Sequence, residues 1–151
     1  MANIDLKTLK KLRDVTSASI ADCRRALDEA NGDYDKALAW LKKHSIEKAE
    51  KKSGRETGEG LVEAYIHQGG KVGVIVALHC ETDFVAKTDE FKHLAHEIAM
   101  QISAMNPADI QALLAQAFIR DSGVTIEQLV KSTIGKLGEN ITIGDFKRFE
   151  I

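Results

Sequence analysis

Apolar residues recur along the first part of the chain at steps of three and four. Leu6, Leu9 and Leu12 follow a three-residue step, and Ile20, Cys23, Leu27 and Ala30 repeat at helical spacing behind Ser19-Ile-Ala-Asp22, which has the form of a capping box. Asn31-Gly32 supplies left-handed residues that stop this helix, and Asp33 is placed to cap the next. Tyr34, Ala37, Leu38 and Leu41 then form one stripe, with Trp40 off it, either packed under a linker or left for a partner. The pattern predicts three short helices over residues 4–44, so that residues 1–44 make a small helical module. Residues 45–60, SIEKAEKKSGRETGEG, offer only Ile46 and Ala49 to a core and read as a solvated helical extension followed by a flexible charged link.

From residue 61 the period changes to two. Residues 61–68 and 71–80 flank Gly69-Gly70 and predict a hairpin with a two-residue turn. Val72, Val74, Val76, Leu78 and Cys80 share one strand face, while Gly73, Ile75, Ala77 and His79 share the other. Phe91, Leu94, Ala95, Ile98, Ala99, Ile102 and Met105 then predict a strong helix that Asn106-Pro107 ends. Two more helices are expected over residues 108–119 and 126–137, the second opened by the capping box Thr125 to Gln128 and closed by Gly138-Glu-Asn140, and a last strand over residues 140–151. Strict alternation in that strand sets Phe146 on the face opposite Ile141, Ile143, Phe149 and Ile151. The expected class is α+β, with residues 61–151 forming a β-β-α-α-α-β core whose three-stranded antiparallel sheet is covered by helices on one face.

Composition narrows the function classes. The 151 residues are 44% hydrophobic and 29% charged, ordinary for a globular protein, and so poor in aromatics that Leu, Ile, Val and Ala must build the core. Residues 1–56 hold 13 Lys/Arg against 10 Asp/Glu, and the remainder 8 against 13. That mild asymmetry lacks the basic face of a nucleic-acid binder. No apolar run approaches a membrane span. Cys23 and Cys80 stand alone, which fits a reducing compartment, and the opening MANIDLKTLKKL has neither a signal-peptide nor a transit pattern, so the expected location is the cytoplasm.

Several groupings invite chemistry. Cys80 with His79, Glu81 and Asp83 suggests a thiol enzyme, yet neighbours on a strand point to opposite faces, and Cys80 continues the valine face. His93 and His96 on one helix, or His67 and His79 across the hairpin, could begin a metal site, but no third ligand and no zinc motif accompanies them; no metal and no cofactor are expected. No phosphate-cradling glycine motif occurs. The stretch CETDFVAKTDEF leaves an open choice. Phe84 lies seven residues before Phe91, so an early helix start would bury it; a start at Thr88-Asp-Glu would instead leave Thr82, Asp83, Phe84 and Val85 as a junction loop between strand and helix. Spacing alone does not choose.

TDFVAKTDEF resembles the TDFVA signature of the bacterial elongation factor Ts family. LRDVTSASIADCRRALDEANGDYDKALAWL is similar to that family's opening block, and KLGENITIGDFKRFE to its I-G-E-N-I segment. The resemblance implies a guanine nucleotide exchange factor for elongation factor Tu, not an enzyme. It implies a ubiquitin-associated-like module over residues 1–44 that docks on the partner, with Arg13, Thr16, Ile20 and Arg24 as docking residues. It further implies that the Thr82–Val85 loop inserts into the partner, where Asp83 and Phe84 disturb the water network around its Mg²⁺. Arg24 and Arg25 replace the family's usual lysines, and Thr16-Ser-Ala-Ser19 replaces its T-G-A-G. Short family members tend to pair as homodimers, and the outward Phe146 is the expected marker of such a face. Two other readings stand beside this one: a passive ubiquitin-associated-like interaction module, and a Cys80-dependent enzyme.

Overall fold

The computed structural model describes residues 4–151 and separates into two compact units, Met1–Lys48 and Ala49–Ile151. In the first, α1 (Leu6–Thr16), α2 (Ile20–Glu29) and the greater part of α3 (Tyr34–Glu50) follow the predicted stripes. Asp5 caps α1 through Lys7 N–H and Thr8 N–H, Ser19 caps α2 through Asp22 N–H, and Asp33 Oδ1 accepts Lys36 N–H at the start of α3. Leu12, Cys23, Ala26, Leu27, Ala30, Ala37 and Leu41 form this unit's core. Trp40 packs against it, stacked on His44 with the Arg25 guanidinium over its ring. Burial acts to raise the Asp22 carboxyl, but the Lys48 ammonium at 2.7 Å and the Ser19 hydroxyl bring it below its ordinary range.

The second unit is built on β1 (Glu59–Ile66), β2 (Val72–Cys80) and β5 (Thr142–Glu150), an antiparallel sheet in the order β1-β2-β5. Between β2 and β5 run α4 (Asp83–Ala86), α5 (Asp89–Met105), α6 (Ile110–Ala115), the short strands β3 (Ala117–Phe118) and β4 (Asp121–Thr125), and α7 (Ile126–Leu137). Val74, Val76, Leu78 and Cys80 of the central strand meet Phe91, Leu94, Ala95, Ile98, Ala99 and Ile102 of α5. Leu113, Ile126, Val130, Ile134 and Ile141 complete the core. The β1–β2 hairpin is closed by His67 N–H to Val72 O at 2.8 Å, so its loop is two residues wider than the glycine pair alone implies.

Three expectations change. The helix expected over residues 108–119 stops at Ala115, and a two-stranded ribbon follows. Gln101 is the reason: fully buried on α5, it donates to Ala117 O at 3.0 Å and accepts Ile119 N–H at 2.9 Å, giving strand-like backbone partners that a helix would not need. Second, the parity assigned to Phe146 is wrong. Val76 pairs with Phe146 but Leu78 with Ile143, so a bulge inserts one extra residue in β5 and returns Phe146 to the core face beside Ile143. Phe149 is turned outward instead and is 70% exposed. The face away from the helices thus shows Val62, Ile66, Ile75 and Phe149. Third, the junction expected as a loop over residues 82–85 is loop only at Thr82, which stays extended. Asp83 to Ala86 make one helical turn of their own.

Candidate partner-binding turn

That turn is pinned at both ends. Thr82, in extended conformation, ends the run out of β2, and its hydroxyl oxygen accepts Val85 N–H to cap α4. At the far end Thr88 caps α5 by accepting Phe91 N–H, while its own hydroxyl donates to Val85 O at 2.7 Å. Between these caps Val85 and Ala86 are buried in the core of the second unit. One helical turn cannot bury all its side chains, so anchoring Val85 and Ala86 directs the preceding pair to solvent. Phe84 is 82% exposed, and Asp83 is exposed beside it. The choice that spacing leaves open is settled by the separate capping of the two helices: Phe84 is not on the core stripe of α5.

The Lys87 ammonium donates to Asp83 Oδ2 at 2.8 Å, and holds its carboxyl below the usual carboxylate range; the Lys87 ammonium is raised in turn. On the inner side Cys80 is fully buried, with its thiol donating to Thr82 O at 3.1 Å. Burial, with the Glu139 carboxylate second, pushes that thiol up and away from the thiolate a nucleophile requires. Glu139, which follows α7, accepts Thr82 N–H at 2.9 Å and the Thr82 hydroxyl at 2.7 Å.

The remaining candidate groups do not converge. His93 faces Glu97 and His96 faces Glu63, and among the described residues no three His, Cys, Asp or Glu side chains gather as a metal site. No described helix is long and apolar enough to cross a membrane. In the first unit Arg13, Ile20 and Arg24 are exposed, whereas Thr16 is half-buried and spends its hydroxyl on Leu12 O and Ala18 N–H. A cleft of about 440 Å³ among Leu114, Val130, Ile134 and Ile143 includes none of the turn's residues.

Comparison with known proteins gives the context. Residues 81–151 match the family model described as elongation factor TS, a span that opens at the turn and includes Glu139. Elongation factor Ts of Rippkaea orientalis is 42% identical over 195 positions, covering 99% of this chain and 78% of the relative. The chloroplastic elongation factor Ts of Rhodomonas salina is 41% identical over 197 positions, covering 99% of this chain and 90% of the relative. The elongation factor Ts of Picosynechococcus sp. is 41% identical and is covered to 89%. The chain belongs to the elongation factor Ts family. Alignments of 195 and 197 positions exceed its 151 residues, so these two relatives carry residues inside the matched span that have no counterpart here. Two side chains inside the stretches that resemble elongation factor Ts, Lys87 and Glu139, hold the turn in ways that the sequence does not announce. Lys87 lies four residues after Asp83, an ordinary helical pair spacing that gives a findable signal. Glu139 lies 57 residues from Thr82; it stands in the Gly138-Glu-Asn140 helix stop and in the segment similar to I-G-E-N-I, but neither ties it to Thr82.

Proposed function

We propose that this protein is a guanine nucleotide exchange factor that binds elongation factor Tu in its GDP form and promotes GDP release, with the Thr82–Val85 turn entering the partner near its Mg²⁺ site. The observation that carries the reading is the 82% exposure of Phe84 on a turn fixed at both ends. A large ring held in water is a store of binding free energy that only a partner can realise. Burying one Phe removes roughly 150–250 Å² from water, worth about 4–6 kcal/mol at ~25 cal/mol/Å² before ordering costs. Exchange needs differential affinity: by linkage, a factor that prefers the nucleotide-free partner weakens GDP by the same factor that GDP weakens it. A 10⁴-fold effect takes about 5.5 kcal/mol, so one ring supplies much of it if its pocket exists chiefly in the empty partner. Asp83 adds a fixed negative charge at the same edge, where it competes for the groups that hold the cation. The protein does no covalent chemistry in this reading.

The first unit makes the state-independent contact, through Arg13, Ile20 and Arg24, with Thr16 shaping the corner between α1 and α2. Holding the partner there raises the local concentration of the turn. The uncovered sheet face supports a further part of the proposal, a homodimer in which Val62, Ile66, Ile75 and Phe149 pack on their two-fold copies. Isolation of the complex with elongation factor Tu tests the main reading. Excess GDP is expected to dissociate it; a complex indifferent to GDP would mark a passive interaction module instead.

A further inference from the structure

A four-residue helix does not hold itself, because its nucleation cost exceeds what one or two hydrogen bonds return. The Thr82–Val85 turn therefore depends on restraint from outside, and one carboxylate supplies much of it. Resting on the exchange reading, the geometry points to Glu139 as the positioning residue that aims Asp83 and Phe84. Its Oε1 takes Thr82 N–H at 2.9 Å and its Oε2 takes the Thr82 hydroxyl at 2.7 Å, so both the backbone and the rotamer of the capping residue are fixed. With its proton committed to Glu139, the Thr82 hydroxyl turns a lone pair to Val85 N–H, which is the cap of the turn.

Glu139 is itself held. Gly138 ends α7 in the left-handed region at φ 78°, and Asn140, 3% exposed, gives its N–H to Glu81 Oε1 at 2.7 Å and its side-chain amide to Arg55 O at 2.8 Å. Two adjacent pairs thus latch reciprocally: Glu81 accepts from Asn140, and Glu139 accepts from Thr82. The ring that enters the partner is aimed from the far end of the chain. A turn released from this latch still presents Phe84, but must be ordered during entry, which lowers the rate of the step and not the initial docking.

The test measures release of a fluorescent GDP analogue from elongation factor Tu over a range of factor concentrations, using the full chain. Glu139→Ala is expected to lower the saturating release rate about tenfold, with the half-saturating concentration moved less than about twofold. In a Phe84→Ala background the same change is expected to cost less than about twofold, because a misaimed turn without its ring has little left to lose. Should Glu139→Ala not fold, Glu139→Gln, which keeps one acceptor for Thr82, serves in the same cycle with a loss of about threefold. A wild-type rate in the Glu139 variant, or an equal loss in both backgrounds, overturns the positioning role and leaves exchange standing. A wild-type protein that does not accelerate release, or a Phe84→Ala variant as fast as wild type, overturns the exchange reading and this inference with it.

Discussion

Ser17 illustrates how much a single backbone angle decides. It ends α1 at φ 53°, in the left-handed region that costs a side chain free energy and suits glycine. Ser17→Gly is expected to stabilise the protein by roughly 0.5–1 kcal/mol, read as a shift in the urea midpoint with unchanged slope. Ser19 makes the opposite case: it caps α2 with its hydroxyl, and a glycine there would give up that acceptor for Asp22 N–H. The two serines therefore differ, one strained and one useful, although both depart from the same glycine-containing pattern. Phe84 and Cys80 show the same sensitivity to place. Four positions apart, one is 82% exposed and the other fully buried, because the chain leaves a strand, caps, and turns once between them.

Where one apolar stripe ran unbroken, the elements were legible. The stripes of α1, α2 and the first part of α3, the central strand and α5 all follow countable periods, since each of these stretches buries one face in one core. The ribbon of β3 and β4 was hidden, because its partner is the buried amide of Gln101 some sixteen residues earlier, and no local period encodes that. Gln101→Ala is expected to cost about 2–4 kcal/mol by leaving Ala117 O and Ile119 N–H without their partner, with amide-exchange protection lost first in this ribbon. The bulge in β5 was equally invisible: one inserted residue between Ile143 and Phe146 reverses the faces of every residue that follows. For the candidate site, the TDFVA resemblance names the four turn residues and implies that they face a partner, whereas spacing alone leaves Phe84 open because the local caps Thr82 and Thr88 decide it. The Glu139 carboxylate lies 57 residues from the Thr82 it holds, and no local period encodes that pairing.

At the scale of the molecule, two exposed apolar surfaces of the second unit carry predictions. The outer sheet face, with Val62, Ile66, Ile75 and Phe149, is expected to close on a second copy; light scattering at tens of micromolar should give a dimer mass for the wild type and a monomer mass for Phe149→Glu. The other surface is the turn. Its ring lies outside both hydrophobic cores, so removing it should leave folding almost untouched, while on the proposed exchange function it should remove the term that separates the GDP-bound from the empty partner. The most direct measurement is stimulated release of a fluorescent GDP analogue from elongation factor Tu by wild type and Phe84→Ala, with thermal unfolding of both recorded alongside. The account predicts release slowed about tenfold or more with an unchanged, cooperative unfolding transition; release at the wild-type rate would contradict it.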